Sequence, residues 1–283
     1  MAGDRSVIDL HGKLALVTGA SSGIGAATAT ALARQGARLV LVSRTREALE
    51  KVAGEIEGAG GEAYVVALDV GDSAAVMQAA EHVTSEIGVP DVIVHSAGGG
   101  RYLFVDETSP EELVQMTQVP YHAAFFVTKA FLPAMLARAS GAIVVLNTPT
   151  VVVWQAAMGY FGARYALRAF VECLRADLRG TGITVTSVNP GNVATEYSER
   201  NDDSDRRLPR LANLSPQQSA ADVADVVVKA VRRGRGRDVY TPLGVKLMVA
   251  LARHFPRAMG QLIVATGASR DVIITEARRE AGK

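Results

Sequence analysis

Short apolar runs alternate along this chain with longer stretches in which apolar residues recur every three or four positions. The runs are Ala15–Val17, Arg38–Val42, Ala63–Leu68, Val92–His95, Ala142–Leu146 and Thr184–Val188. Near-continuous apolar character of this kind predicts strands buried on both faces, as in a parallel sheet. The stretches between them, Ile24–Gln35, Arg46–Ala59, Ser73–Ile87, Pro110–Ala137 and Tyr160–Arg179, carry helical spacing. Regular alternation of strand and helix, with short Gly-containing joints, predicts an α/β doubly wound parallel sheet in three αβα layers. No internal repeat and no Pro/Ser/Gly-rich linker divides the sequence. Residues 1–283 are therefore expected to form a single domain.

The first joint carries chemistry. Thr18-Gly19-Ala20-Ser21-Ser22-Gly23-Ile24-Gly25 follows an apolar strand and opens at once into an Ala-rich helix. Glycines let the backbone turn sharply and approach phosphate oxygens, while free N–H groups and the positive end of the helix attract the charge. Strand, turn and helix in that order predict a pyrophosphate pocket. In doubly wound sheets ligands bind outside the carboxyl ends of the strands. Gly19, Ser43, Asp69, Ala97, Thr148 and Pro190 are all expected there. The second strand end reads Val42-Ser43-Arg44-Thr45-Arg46. Sites that take NAD place a carboxylate about 20 residues after the glycine turn to hold the ribose hydroxyls. A carboxylate would repel a 2′-phosphate, whereas arginine can bind it through two parallel bonds. Ser43 and Arg44 therefore point to NADP(H) in preference to NAD(H). Arg46 can equally be a surface arginine at the start of a solvated helix.

Composition sets outer bounds. The 283 residues are 48% apolar, enough for one large α/β core, and the formal net charge of +1 gives no global field for nucleic acid. The lone Cys173 excludes an internal disulfide, suits a reducing cytoplasmic setting, and reads as a small buried residue. Met1 to Lys13 lacks an apolar signal core, and no run approaches the roughly 18 apolar residues of a membrane span. The five histidines, at 11, 82, 95, 122 and 254, show no metal-ligand spacing, so no metal is expected.

The chain resembles the short-chain dehydrogenase/reductase family, with a Rossmann-like fold, from about Gly12 to Pro242. The resemblance rests on the glycine turn, Leu68-Asp69-Val70, Ser96-Ala97-Gly98, Tyr160-x-x-x-Arg164 and Asn189-Pro190-Gly191-x-x-x-Thr195. It implies that Asp69 and Val70 hold an adenine, that Ala97 and Gly98 line the nucleotide, and that Pro190, Gly191, Val193 and Thr195 lie beside the nicotinamide carboxamide. It implies a homodimer or homotetramer formed through the two long central helices. It also implies interconversion of a carbonyl and an alcohol on a small-molecule substrate. The sequence departs from the family pattern where catalysis is decided. His95-Ser-Ala-Gly98 stands for Asn-Asn-Ala-Gly, the usual serine falls on Asn147 or Thr148, the usual helix asparagine on Pro120, and the lysine of the Tyr-x-x-x-Lys pair is Arg164.

Carbonyl reduction needs a hydride and a proton for the developing alkoxide. A free phenol titrates near about 10, so a nearby cation must assist it. Tyr160 and Arg164, at i and i+4, share a helix face. Guanidinium can supply charge and hydrogen bonds but does not release a proton. Pro120 removes a backbone N–H and should kink its helix. On this reading Tyr160 is the acid, Thr148 the donor to the substrate oxygen, and Arg164 the cation. Against it, Thr148 can bond local backbone, Tyr160 can be a core tyrosine, and His95 reads better as a satisfied structural histidine. The altered set also leaves open a protein that has lost hydride transfer. Such a protein would serve as an isomerase, dehydratase or cyclase, or as a nucleotide-binding regulator.

Two late segments bear on substrate. Residues 196–214, charged and structure-poor, are expected to form a lid or an ordinary surface loop, closed by Ser215-Pro216 as helix cap and first turn. Gly244–Val264, within a C-terminal helical extension at 243–283, reads as two amphipathic helices. They line an apolar pocket, dock on a sister subunit, or touch a membrane surface, the third being least favoured. An apolar pocket wall would suit a lipophilic substrate.

Overall fold

The computed structural model describes residues 7–151, 153–194, 207–208, 216–266 and 270. Its centre is a seven-stranded parallel sheet. In chain order the strands are β1 (Leu14–Thr18), β2 (Arg38–Ser43), β3 (Glu62–Ala67), β4 (Val92–His95), β5 (Gly141–Leu146) and β6 (Ile183–Pro190). A two-residue ribbon pairs β7 (Val193–Ala194) with β8 (Gln218–Ser219), and β9 (Asp238–Thr241) joins the main sheet at its edge. The order β3-β2-β1-β4-β5-β6-β9 reverses direction between β1 and β4, and the crevice at that switch point is where such sheets hold ligands.

The helices are α1 (Gly23–Ala33), α2 (Arg46–Gly58), α3 (Ser73–Glu86), α4 (Pro110–Thr117), α5 (Ala123–Arg138), α6 (Met158–Asp177), α7 (Ala220–Arg233), α8 (Leu243–His254) and α9 (Pro256–Thr266). They cover both faces, giving the three-layer α/β arrangement that the sequence predicts. Strand pleat sorts the apolar residues into two cores. Ala15 and Val17 of β1 pack with Leu32, Leu49, Val223 and Val227 of α1, α2 and α7. Leu14 and Leu16 pack on the other side with Val76, Phe131, Leu167 and Val171 of α3, α5 and α6.

Four expectations are corrected. The stretch Pro110–Ala137 is not one helix: Gln118–His122 forms a π-turn between α4 and α5, with Pro120 buried inside it. A proline ring and its missing N–H break the i to i−4 ladder, and the wider turn accommodates both. The cap of α7 is Ser219, not Ser215-Pro216. Its hydroxyl accepts from Asp222 N and the Asp222 carboxylate accepts from Ser219 N, whereas Pro216 is not helical. Cys173 is exposed, because the buried face of α6 runs through Leu167, Val171 and Leu174. The seventh strand, β9, and the β7–β8 ribbon are additional to the six runs seen in the sequence.

Candidate active site

The glycine turn sits at the carboxyl end of β1. Gly19 has φ +68°, and a Cβ there would lie 2.8 Å from Ala97 N; a Cβ at Gly25 would lie 2.0 Å from the Gly19 carbonyl oxygen. Side chains are excluded at both positions, so the backbone of the turn packs directly against α1 and against the end of β4. The N-cap of α1, Ser22, makes no side-chain capping bond, and its first turn holds no acidic residue. By contrast, α3 is capped by Asp72, whose carboxylate accepts from Ala74 N and Ala75 N. The positive end of α1 is thus left to an outside anion. Ser21, Ser22, Gly23 and Ile24 are half-buried along this turn. Thr18 was not singled out by sequence, yet its hydroxyl accepts from both Ser96 N and Ala97 N at 3.2 Å and ties β1 to β4.

At the end of β2, the Ser43 hydroxyl is buried and has no hydrogen-bond partner among the described residues. The neighbouring Arg44 is exposed and makes no ion pair among the described residues, whereas Arg46 pairs with Glu50 one turn along α2 at 3.7 Å. The two arginines therefore differ, and Arg44 is the one left available. After β3, Asp69 is exposed and its carboxylate accepts from Gly71 N at 2.8 Å, while Val70 is buried. Gln118 of the π-turn donates to Gly71 O at 3.1 Å, holding this corner to the helix layer. Beyond β6, Gly191 N donates to Thr241 O and Val193 pairs with Gln218 in the ribbon. Thr195 lies outside the described residues, as does most of the expected lid.

Arg164 is the most constrained of the expected catalytic side chains. Its Nη1 donates to Leu146 O at 3.3 Å, and a Cβ on Gly98 would lie only 3.0 Å from Nη2. Its guanidinium carbon lies 5.1 Å from the Tyr160 ring centroid, and its Nε is buried without a hydrogen-bond partner among the described residues. Asn147 is buried and donates through Nδ2 to Arg164 O at 3.2 Å, with its Oδ1 unpartnered. This makes Asn147 a brace for α6. Thr148, half-buried just after β5, makes no side-chain hydrogen bond among the described residues. The Tyr160 ring packs edge-on against Tyr102 at 5.2 Å, and Tyr160 is half-buried. No sequence signal marks Tyr102, which lies in an irregular loop. His95 is buried and bonds Thr128 of α5 at 2.9 Å. Burial holds its imidazole down to about 4, so it stays neutral and acts as the structural histidine that its setting suggested.

Beside Tyr160, on the next face of α6, lies a cavity of about 410 Å³ walled by Leu103, Phe104, Trp154, Met158, Phe161 and Tyr165. Neither α8 nor α9 contributes to its lining; they pack behind it, with Ala252 and Ile263 against Trp154 and Val151. Arg207 is buried, bonds both carboxylate oxygens of Glu107, and lies 5.5 Å over the Phe104 ring. The Arg207 hydrogen bond holds the Glu107 carboxyl below its ordinary range. Among the described residues, no group of His, Cys, Asp and Glu could hold a metal ion.

The polar inventory of this edge suits a dinucleotide. A backbone cradle that a Cβ would fill, an uncapped helix end, a free arginine, and buried donors and acceptors at Ser43 and Arg164 lie along the strand ends.

Residues 13–206 match the short chain dehydrogenase family. The chain belongs to that family of oxidoreductases. It is 35% identical over 208 residues, 71% of its length, to a short chain dehydrogenase of Pseudocercospora fijiensis. It spans 66% of that relative's length and as little as 18% of others that it matches. Among solved structures it is similar to a metagenomic short-chain oxidoreductase in complex with NADP (30% identity, TM-score 0.70, covering 83% of this chain and 98% of that one). It is also similar to L-sorbose reductase from Gluconobacter frateurii complexed with NADPH and L-sorbose (28% identity, TM-score 0.73, 84% and 98%).

Proposed function

We propose that this protein is an NADP(H)-dependent oxidoreductase that interconverts a carbonyl and an alcohol on a small lipophilic substrate. The observation that carries the reading is the side-chain-free cradle between Gly19, Gly25 and Ala97 at the uncapped start of α1. The NADP and NADPH in the two similar structures point the same way. Ser21, Ser22, Gly23 and Ile24 would hold the pyrophosphate, Ser43 and Arg44 the 2′-phosphate, Asp69 and Val70 the adenine, and Ala97, Gly98, Pro190, Gly191, Val193 and Thr195 the nicotinamide half. That cofactor, when bound, supplies or accepts the hydride.

The chain's own residues manage the proton. Tyr160, whose hydroxyl has no hydrogen bond among the described residues, donates to the substrate oxygen, and Thr148 donates a second hydrogen bond that stabilises the developing alkoxide. Arg164, fixed over the tyrosine ring, stabilises the phenolate left behind. It cannot pass on a proton, so Tyr160 is reprotonated from solvent on its exposed side. The apolar cavity beside Phe161 supports a lipophilic substrate, and the Arg207–Glu107 pair supports residues 196–214 as its lid. Phe125 and Tyr165, exposed on α5 and α6, support assembly of a homodimer or homotetramer through those helices. A second reading, non-redox proton transfer in the same pocket, is favoured by one observation: guanidinium replaces the group that could relay a proton.

Fluorescence titration with NADPH and NADH, followed by turnover of lipophilic ketones with product analysis, tests this. Tighter NADPH binding that Arg44→Ala abolishes is expected, with turnover reduced about a hundredfold or more in Tyr160→Phe. Equal affinity for the two nucleotides, or a Tyr160→Phe variant at full rate, would overturn it. Conversion of substrate without nucleotide oxidation would select the second reading.

A further inference from the structure

Helices α8 and α9 carry apolar residues on both sides. Inward, Val245, Val249 and Ala252 of α8 and Ile263 of α9 are buried. Outward, Leu243, Leu247 and Leu251 follow one another at turn spacing and are 78%, 62% and 44% exposed. Phe255 at the corner is 63% exposed, and on α9 Leu262 and Val264 are exposed on either side of the buried Ile263. A contiguous apolar surface of this kind marks a site of contact rather than scattered surface residues.

The charge around it is one-sided. The whole chain is balanced, with 30 basic and 29 acidic residues, yet the sequence holds no acidic residue between Asp238 and Asp271. Lys246, Arg253 and Arg257 fall in α8 and α9 and are exposed. Helical spacing sets Lys246 and Arg253 on one line along α8, between the leucine row and the buried face. Arg253 is steadied there by a hydrogen bond to the Tyr240 hydroxyl at 3.1 Å. A second copy of this face would bring like charges together, whereas an anionic surface would meet them with opposite charge. Among the described residues no helix is long and apolar enough to cross a membrane, so contact would lie in the interfacial plane.

We propose that the α8–α9 hairpin docks this protein on an anionic lipid surface. Leu243, Leu247, Leu251, Phe255 and Leu262 enter the boundary between headgroups and acyl chains, and Lys246, Arg253 and Arg257 meet lipid phosphates. The proposal does not depend on the redox reading, since docking needs neither nucleotide nor turnover.

Co-sedimentation of the full chain with phosphatidylcholine vesicles, with and without phosphatidylserine, tests it. Binding is expected only with phosphatidylserine and should weaken as salt rises. It should fall about tenfold or more in Leu247→Glu/Leu251→Glu and, separately, in Lys246→Glu/Arg257→Glu. Two results would overturn it: no binding to the anionic vesicles, or binding unchanged in both variants. A third is a leucine variant that turns an oligomer into a monomer by light scattering while vesicle binding persists. That last result would assign the face to a second copy of the chain.

Discussion

Replacing Gly25 by alanine puts one methyl group where α1 crosses the glycine turn, and the structure fixes how little room it has. The new Cβ would lie 2.0 Å from the Gly19 carbonyl oxygen and 2.7 Å from its carbon, against 3.4 Å for the start of ordinary contact. The turn or the helix must therefore shift by about 1.4 Å, the difference between those distances. The obstructing atoms are backbone, so no side chain can swing aside. Forced repacking of this kind destabilises by about 1–3 kcal/mol. The effect on binding should be larger than a fold-wide loss alone, because a displacement of about 1 Å in a preorganised site is worth roughly a hundredfold. NADPH affinity is thus expected to fall about a hundredfold, near 2.8 kcal/mol. Fluorescence titration measures it, with a thermal melt to confirm folding. Gly54→Ala is the matched control. It lies mid-α2, its Cβ would meet nothing within 4 Å, and it should leave affinity unchanged while adding about 0.5–1 kcal/mol of stability. A folded Gly25→Ala protein with undiminished affinity would refute the cradle.

Three other outcomes follow from the same geometry. Arg164→Lys should lower kcat, because the shorter side chain gives up the Leu146 carbonyl and the Tyr160 ring together; steady-state turnover that rises above the parent would show a site impaired by guanidinium. His95 is held neutral, with its folded value near 4 below the ordinary 6.5. Unfolded chains therefore take up the proton first, and stability should drop by about 2 kcal/mol from pH 7 to pH 5 through this residue. Chemical denaturation of His95→Asn, which keeps a partner for Thr128, should show a flatter slope across that range. Glu107→Gln removes the charge that grips Arg207 and should raise KM for lipophilic substrates with kcat little changed; an unaltered KM would separate that ion pair from substrate binding.

The sheet was legible because its strands are buried on both sides and so read as unbroken apolar runs. β9 escaped because Asp238–Thr241 is a short edge strand, largely half-buried, that follows the basic stretch Arg232–Arg237. Local spacing exposed the glycine turn and the Tyr160–Arg164 pair, since residues one helical turn apart must be neighbours. Pro120 announced a disturbance but not its form, because proline specifies what the ladder loses and packing decides how the helix recovers. Ser219 prevailed over Ser215 as a cap through Asp222, a partner three residues on that sequence could have supplied. Tyr102 against Tyr160 and Glu107 against Arg207 were illegible: each joins segments far apart in sequence, and only the completed fold brings them into contact.

The wide turn at Gln118–His122 also has a consequence for insertions and deletions. A π-turn holds one residue more than an α-turn over nearly the same rotation, so excising Pro120 would let the ladder close while α4 keeps its rotational phase. Met116 would keep its seat beneath Gly159, where a Cβ would come within 2.6 Å of the thioether sulfur. The surplus residue is thus absorbed within the turn, and α4 packs against the tyrosine helix in the same phase with it or without it. A one-residue deletion should therefore be tolerated at this turn before it is tolerated in the regular turns of α4 or α5, where each residue lost rotates the flank by about 100°.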